Sequence, residues 1–118
     1  MLTCDLSPDR LSLLQAKVLA PAKAQTMANF FSLLGDPSRL RILSALAIQE
    51  LCVHDLAQLV GMSASAVSHQ LRVLRNLRLV SARRDKRKIY YQLLDRHVVE
   101  LYKAVDEHLD EEADNDPC

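Results

Sequence analysis

The chain has 118 residues, 49% of them apolar and 25% charged, with two glycines and a net charge of zero; it has the makings of one compact soluble domain and little room for a second. No run approaches the roughly 18 to 20 consecutive apolar residues that cross a bilayer, and Asp5, Asp9 and Arg10 interrupt the start, so neither a signal peptide nor a membrane anchor is expected. Cys4, Cys52 and Cys118 form an odd, sparse set that argues for reduced thiols and a cytoplasmic setting over a disulfide framework.

Residues 1–10 read as a flexible arm. Leu11, Leu14, Val18, Met27, Phe30, Phe31 and Leu34 then recur at helical spacing, and Pro21 divides their segment into two helices. Asp36-Pro37 is a start signal, an N-cap acid followed by proline at the first helical position. Leu40, Leu43, Leu46 and Ala47 carry a buried stripe from there to a helix end near Gln49. Val53 to Val60 makes a short helix with Leu56, Leu59 and Val60 on one side, and Gly61 supplies a left-handed cap. Ser63 caps the next helix. There Val67, Leu71 and Leu74 share one side with Ala66, Val73 and Leu77, while Ser65, Ser68, His69, Arg72, Arg75 and Asn76 take the other. Two helices joined by a tight Gly61-Met62 turn, the second showing small hydroxyls, an imidazole and guanidinium groups outward, have the pattern of a helix-turn-helix. Small polar side chains at the helix start let its backbone approach base edges or phosphates closely.

Val80 to Arg84 and Lys88 to Leu93, rich in β-branched and aromatic residues, read as a hairpin around Asp85-Lys86. The tip of this wing gathers Arg83, Arg84, Lys86, Arg87 and Lys88, charges that repel one another unless a phosphate backbone or solvent lies between them. Asp95 caps a last helix running to about Glu111, with Val98, Leu101, Tyr102, Val105 and Leu109 apolar, and residues 112–118 read as a disordered acidic tail. The zero net charge conceals a dipole. Between Leu56 and Leu94 the only acid is Asp85, whereas from Asp95 onward the acids face only Arg96 and Lys103. Such asymmetry suits a central surface for a polyanion. The expected fold is mainly α with a β-hairpin wing, a winged helix-turn-helix over residues 11–111.

Asp36-Pro-Ser-Arg-Leu-Arg, Glu50-Leu-Cys-Val-His-Asp-Leu, Ser65-Ala-Val-Ser-His-Gln-Leu and Tyr90-Tyr-Gln-Leu, in this order, resemble the ArsR/SmtB family of metal-sensing winged-helix repressors. The resemblance runs from about Met27 to Glu111 and is strongest to the cyanobacterial zinc-sensing SmtB-like branch. It implies a homodimer, joined through N- and C-terminal helices, that occupies an inverted repeat of double-stranded operator DNA when metal-free. Binding of Zn(II), with Cd, Co or Pb as alternative effectors, would release the operator and derepress genes of metal efflux or sequestration. The resemblance places Ser65, Ser68 and His69 against DNA. Together with Ser63, Arg72 and the wing residues Arg83, Arg84, Lys86, Arg87 and Lys88 they make the candidate DNA-binding set. No enzyme is expected, since the chain has neither a nucleophile elbow nor a glycine-rich phosphate loop.

In the last helix Asp95, His97, His108 and Glu111 offer two carboxylates and two imidazoles, a set suited to tetrahedral zinc. His97 and His108 point to nearly the same side but lie about 16 Å apart along the axis at 1.5 Å rise per residue, too far to share one ion. One subunit cannot close this site. Two such helices packed antiparallel about a two-fold axis would bring Asp95 and His97 of one chain to His108 and Glu111 of the other, giving two sites by symmetry. The same residues have a plain structural use, Asp95 as N-cap and the rest as polar positions on a solvated helix. All four fall on positions that bind zinc in the SmtB-like branch, and the resemblance further suggests that His108 donates its second ring N–H to the main chain near Arg78. A second candidate set, Cys52, His54 and Asp55 with Cys4 from the arm, resembles the family's thiolate-rich site, although His54 stands where a second cysteine is commoner, which weakens the case for soft metals. Here the plain alternative is a buried Cys52 and a helix-capping Asp55. Cys4 and Cys52 also leave open a thiol-based redox repressor of the same fold.

Overall fold

A computed structural model of the chain describes residues 6–114. They fall into two compact units, one ending at Leu34 and one beginning at Gly35.

In the first unit α1 (Pro8–Gln15) starts inside the stretch read from the sequence as an arm. The Ser7 hydroxyl accepts the Arg10 N–H at 3.2 Å, Pro8 opens the first turn and Asp9 complements the helix dipole. This Ser-Pro start repeats the Asp36-Pro37 signal and corrects the helix boundary from Leu11 to Pro8. The second helix, α2 (Pro21–Leu34), begins where Pro21 was expected to divide the segment, with the Ala20 carbonyl accepting from the Ala24 N–H at 2.9 Å. Neither helix buries a single side chain; Leu13 of α1 and Phe31 of α2 are more than half exposed, as is Val18 between them.

The second unit holds the core. Asp36 caps α3 (Pro37–Ile48) by accepting the Arg39 N–H at 3.0 Å, and the helix buries Ile42, Leu43, Ala45 and Leu46. A two-residue strand, β1 (Leu51–Cys52), leads into α4 (Val53–Val60), which buries Leu56, Ala57 and Val60. Gly61, at φ 68°, turns the chain in the left-handed region, and the Met62 N–H reaches back to the Ala57 carbonyl at 3.1 Å. The Ser63 hydroxyl then accepts the Ala66 N–H at 3.0 Å to start α5 (Ala64–Asn76), whose Val67, Leu71 and Leu74 are fully buried. This helix ends in a Schellman motif: the Leu79 N–H bonds to the Leu74 carbonyl and the Arg78 N–H to the Arg75 carbonyl, both at 3.0 Å. Arg78 occupies the left-handed position, φ 60°, where glycine is usual.

Strands β2 (Val80–Asp85) and β3 (Lys88–Leu93) form the expected wing, with Asp85 opposite Lys88. The turn is therefore Lys86-Arg87, one residue later than the sequence placed it, and Lys86 takes a left-handed φ of 57°. A feature not foreseen is that β1 adds to the hairpin, antiparallel to β3, giving the order β1-β3-β2. The last helix, α6 (Arg96–Asp114), continues past the expected end at Glu111. It anchors Val98 in the core, half-buries Leu101 and Tyr102, and leaves Val105 and Leu109 exposed. No helix among the described residues is long and apolar enough to cross a membrane.

Candidate nucleic-acid interface and metal-ligand positions

The amphipathic pattern of α5 fixes what it shows outward. With Val67, Leu71 and Leu74 turned into the core, Ser65, His69 and Arg72 are exposed and Ser68 is half-buried beside them. Ser63 is exposed as well, its hydroxyl already engaged as the cap. Two arginines of α3 hold this helix pair. Arg41 donates from Nη1 to the Val60 carbonyl at 2.6 Å, satisfying an orphan acceptor at the end of α4. Arg39 donates from Nε to Gln70 Oε1 on α5 at 2.9 Å. Sequence reasoning missed both, because partners 19 and 31 residues away leave no local signal.

The wing cations are exposed, and one differs from the rest. Arg83 donates from Nε and Nη2 to the two carboxylate oxygens of Glu50, at 2.7 and 2.5 Å, and its guanidinium lies 4.9 Å from the centre of the Tyr90 ring. The Arg83 guanidinium holds the Glu50 carboxyl below its ordinary range, chiefly by donating hydrogen bonds to it. Arg84, Lys86, Arg87 and Lys88 form no ion pair among the described residues.

On α6, Asp95 is the N-cap: its Oδ1 accepts the His97 backbone N–H at 2.8 Å and lies 2.9 Å from His97 Nδ1. These contacts, the backbone one first, hold the Asp95 carboxyl below its ordinary range. At the other end His108 Nε2 lies 3.6 Å from Glu112 Oε1, so its neighbour in this structure is Glu112 rather than Glu111; positions i+3 and i+4 both share its side of a helix. His97 and His108 are well exposed. Among the described residues, no three His, Cys, Asp or Glu side chains converge to hold an ion. The donors at each end nonetheless fit zinc by chemistry. Tetrahedral bonds of about 2.0–2.2 Å set donor atoms roughly 3.3 Å apart, and Asp95 Oδ1 and His97 Nδ1 already lie 2.9 Å apart.

Cys52 is buried at the N-cap position of α4, pairs with Tyr90 across the sheet and makes no side-chain cap bond. His54 and Asp55 are exposed on the first turn. With Arg87, Lys88 and Ile89 of the wing these three residues line an open pocket of about 360 Å³. Cys4 and Cys118 lie outside the described residues.

Paired helices joined by a left-handed glycine turn, a capped recognition helix with a polar outer face and a cationic hairpin together define a winged helix-turn-helix DNA-binding regulator. Comparison with known proteins agrees. The model of bacterial regulatory proteins of the arsR family matches residues 36–82. The transcriptional repressor SmtB homolog of Synechocystis sp. is 59% identical over 97 residues, 82% of this chain and 74% of that protein. The crystal structure of the AntR antimony-specific transcriptional repressor aligns with TM-score 0.75 at 36% identity, covering 97% of this chain and 100% of that one. The homodimeric winged helix-turn-helix domain of a possible ArsR-family regulator from Mycobacterium bovis aligns with TM-score 0.71 at 29% identity, covering 85% and 95%. The chain belongs to the arsR family of bacterial regulatory proteins. It is a DNA-binding transcriptional repressor and not an enzyme.

Proposed function

We propose that the chain is a cytoplasmic homodimeric repressor that holds an inverted-repeat operator when metal-free and releases it on binding Zn(II), so derepressing genes that remove or sequester the metal. The observation that carries this reading is the layout of α6: a carboxylate–imidazole pair, Asp95 and His97, at its start and His108 with Glu111 near its end, with exposed Val105 between the pairs and exposed Leu109 next to His108. An exposed apolar stripe running beside two incomplete ligand pairs is what an antiparallel partner helix would cover and complete. The homodimeric relative and the antimony-specific repressor support pairing and an inorganic effector.

Each of the two symmetric sites would consist of one chain's Asp95 and His97 with the partner copy's His108 and Glu111, so that an ion held there would tie the two α6 helices together. The ion and the DNA need not touch. An effector that prefers the low-affinity arrangement of the dimer weakens DNA binding, and by linkage DNA weakens the effector equally. The DNA face is Ser63, Ser65, Ser68, His69 and Arg72 of the recognition helix, with Arg84, Lys86, Arg87 and Lys88 of the wing. The set Cys52, His54 and Asp55, with Cys4, is a second metal position, and the wing cations that share its pocket would feel an ion held there.

The test is a zinc titration of the dimer on labelled duplex DNA selected from a random-sequence pool by the metal-free wild type. His108→Gln retains DNA affinity and no longer releases on zinc; Cys52→Ser releases normally. Zinc-driven release by His108→Gln at wild-type concentrations would remove α6 from the effector site. Peroxide-driven release that persists with a chelator present would favour a thiol switch instead.

A further inference from the structure

From the sequence, every wing cation including Arg83 counts as a DNA contact, and the geometry of Arg83 argues otherwise. Arg83 sits on β2 opposite Tyr90 on β3, and Tyr90 is in turn opposite Cys52 on β1, so a single cross-strand row runs over all three strands. Glu50 lies two residues before Cys52, on the same side of the extended chain, and takes Arg83 from across β3 in a two-bond fork. One edge of the guanidinium is thereby used by the carboxylate and one face by the ring. The pair carries no net charge. A phosphate approaching the remaining edge meets the Glu50 carboxylate next to it, whereas Arg84, Lys86, Arg87 and Lys88 present their charges without a carboxylate partner among the described residues.

We propose that Arg83 is a positioning residue: clamped by Glu50 and stacked on Tyr90, it fixes the angle at which the wing offers Arg84, Lys86, Arg87 and Lys88 to DNA, and neutralises no phosphate itself. This rests on the DNA-binding role of the wing given above. The clamp joins the hairpin to the segment just before α4, so the wing is tied to the helix-turn-helix by a side-chain fork as well as by the short β1–β3 ladder. Arginine is required rather than merely positive, because lysine offers neither the fork nor the planar stack.

The experiment measures affinity for the selected duplex against salt concentration for the wild type, Arg83→Lys, Arg83→Gln, Glu50→Gln and Arg87→Gln, with hydrogen exchange at the Ile89 and Tyr90 amides as a DNA-free readout. Loss of a phosphate contact lowers the log–log salt slope by about 0.9 per contact, and Arg87→Gln shows that drop. Arg83→Gln and Arg83→Lys both weaken binding about fivefold at every salt concentration, the scale of one good exposed ion pair, with the slope unchanged and wing amides exchanging faster. Glu50→Gln also weakens binding, although it removes a negative charge from a DNA-binding protein, and the Glu50→Gln/Arg83→Gln double variant is no worse than either single one. A slope that drops in Arg83→Gln as it does in Arg87→Gln, a wild-type slope and affinity in Arg83→Lys, or tighter binding by Glu50→Gln would each overturn the clamp and return Arg83 to the phosphate contacts. A slope unaltered even in Arg87→Gln would remove the wing from the DNA interface, and the proposal with it.

Discussion

The core around α3, α4, α5 and the sheet and the terminal helices use the same apolar residue types with opposite outcomes. In the core the central residues of the stripes find partners within the chain: Ile42, Leu56, Val67, Leu71 and Leu74 are completely buried, while Leu40 and Leu59 at the stripe margins stay exposed. In α1 and α2 nothing is buried, and α6 is anchored by Val98 but leaves Val105 and Leu109 exposed. Scattered exposed leucines are ordinary; a stripe left open at helical spacing is what a second copy would cover in the proposed dimer. The DNA-reading half is thus complete in one copy, whereas the proposed effector half becomes complete only in two. A sensor gains from that division, since a ligand that bridges copies acts on their relative placement without disturbing either core.

The largest effect is expected at the centre of the complete half. Leu71→Ala leaves a cavity beneath the recognition helix and costs about 3 kcal/mol in urea unfolding, with DNA binding lost as the fold fails. The open half should respond in assembly instead. Leu109→Glu weakens self-association by on the order of 2 kcal/mol, about thirtyfold, in sedimentation at low concentration, while the circular dichroism of the monomer stays helical. Unchanged association would show that the stripe is not the dimer surface. Asp95 tests both roles of one side chain. Asp95→Ala loses the cap, about 1 kcal/mol, together with the zinc response; Asp95→Ser keeps the cap and loses only the response, which unfolding and zinc-release measurements separate. The smallest effects compare two left-handed helix ends. Gly61→Ala destabilises by about 1 kcal/mol through backbone strain alone, since no atom lies within 4 Å of the added methyl group, and Arg78→Gly stabilises by a similar amount. Thermal unfolding reads both, and equal signs would contradict the cap geometry.

Most helix boundaries were legible in the sequence because the bonds that set them are local. Asp36, Ser63 and Asp95 each cap an N–H two or three residues ahead, and Gly61 closes the turn that follows α4. Ser7 obeys the same rule, and only the expectation of an arm obscured it. The polar outer face of α5 was equally readable, since a helical period assigns the exposed side as soon as the buried one is known. The wing turn was misplaced by one residue, because neither Asp85 nor Lys86 is a glycine that would mark the left-handed position.

Other features depended on where the chain returns in space. The short β1 strand, the Arg41 bond to the Val60 carbonyl, the Arg39–Gln70 bond and the Glu50–Arg83 fork all join residues far apart in sequence, and no period or spacing announces such a match. The five wing cations look alike as a run of letters; the sheet order β1-β3-β2 brings a carboxylate to one of them. Sequence alone therefore determined most of the helices and their faces, because backbone caps and amphipathic periods act over a few residues. Tertiary structure decided which charges are already spoken for, because an electrostatic partner is chosen by distance through space and not along the chain.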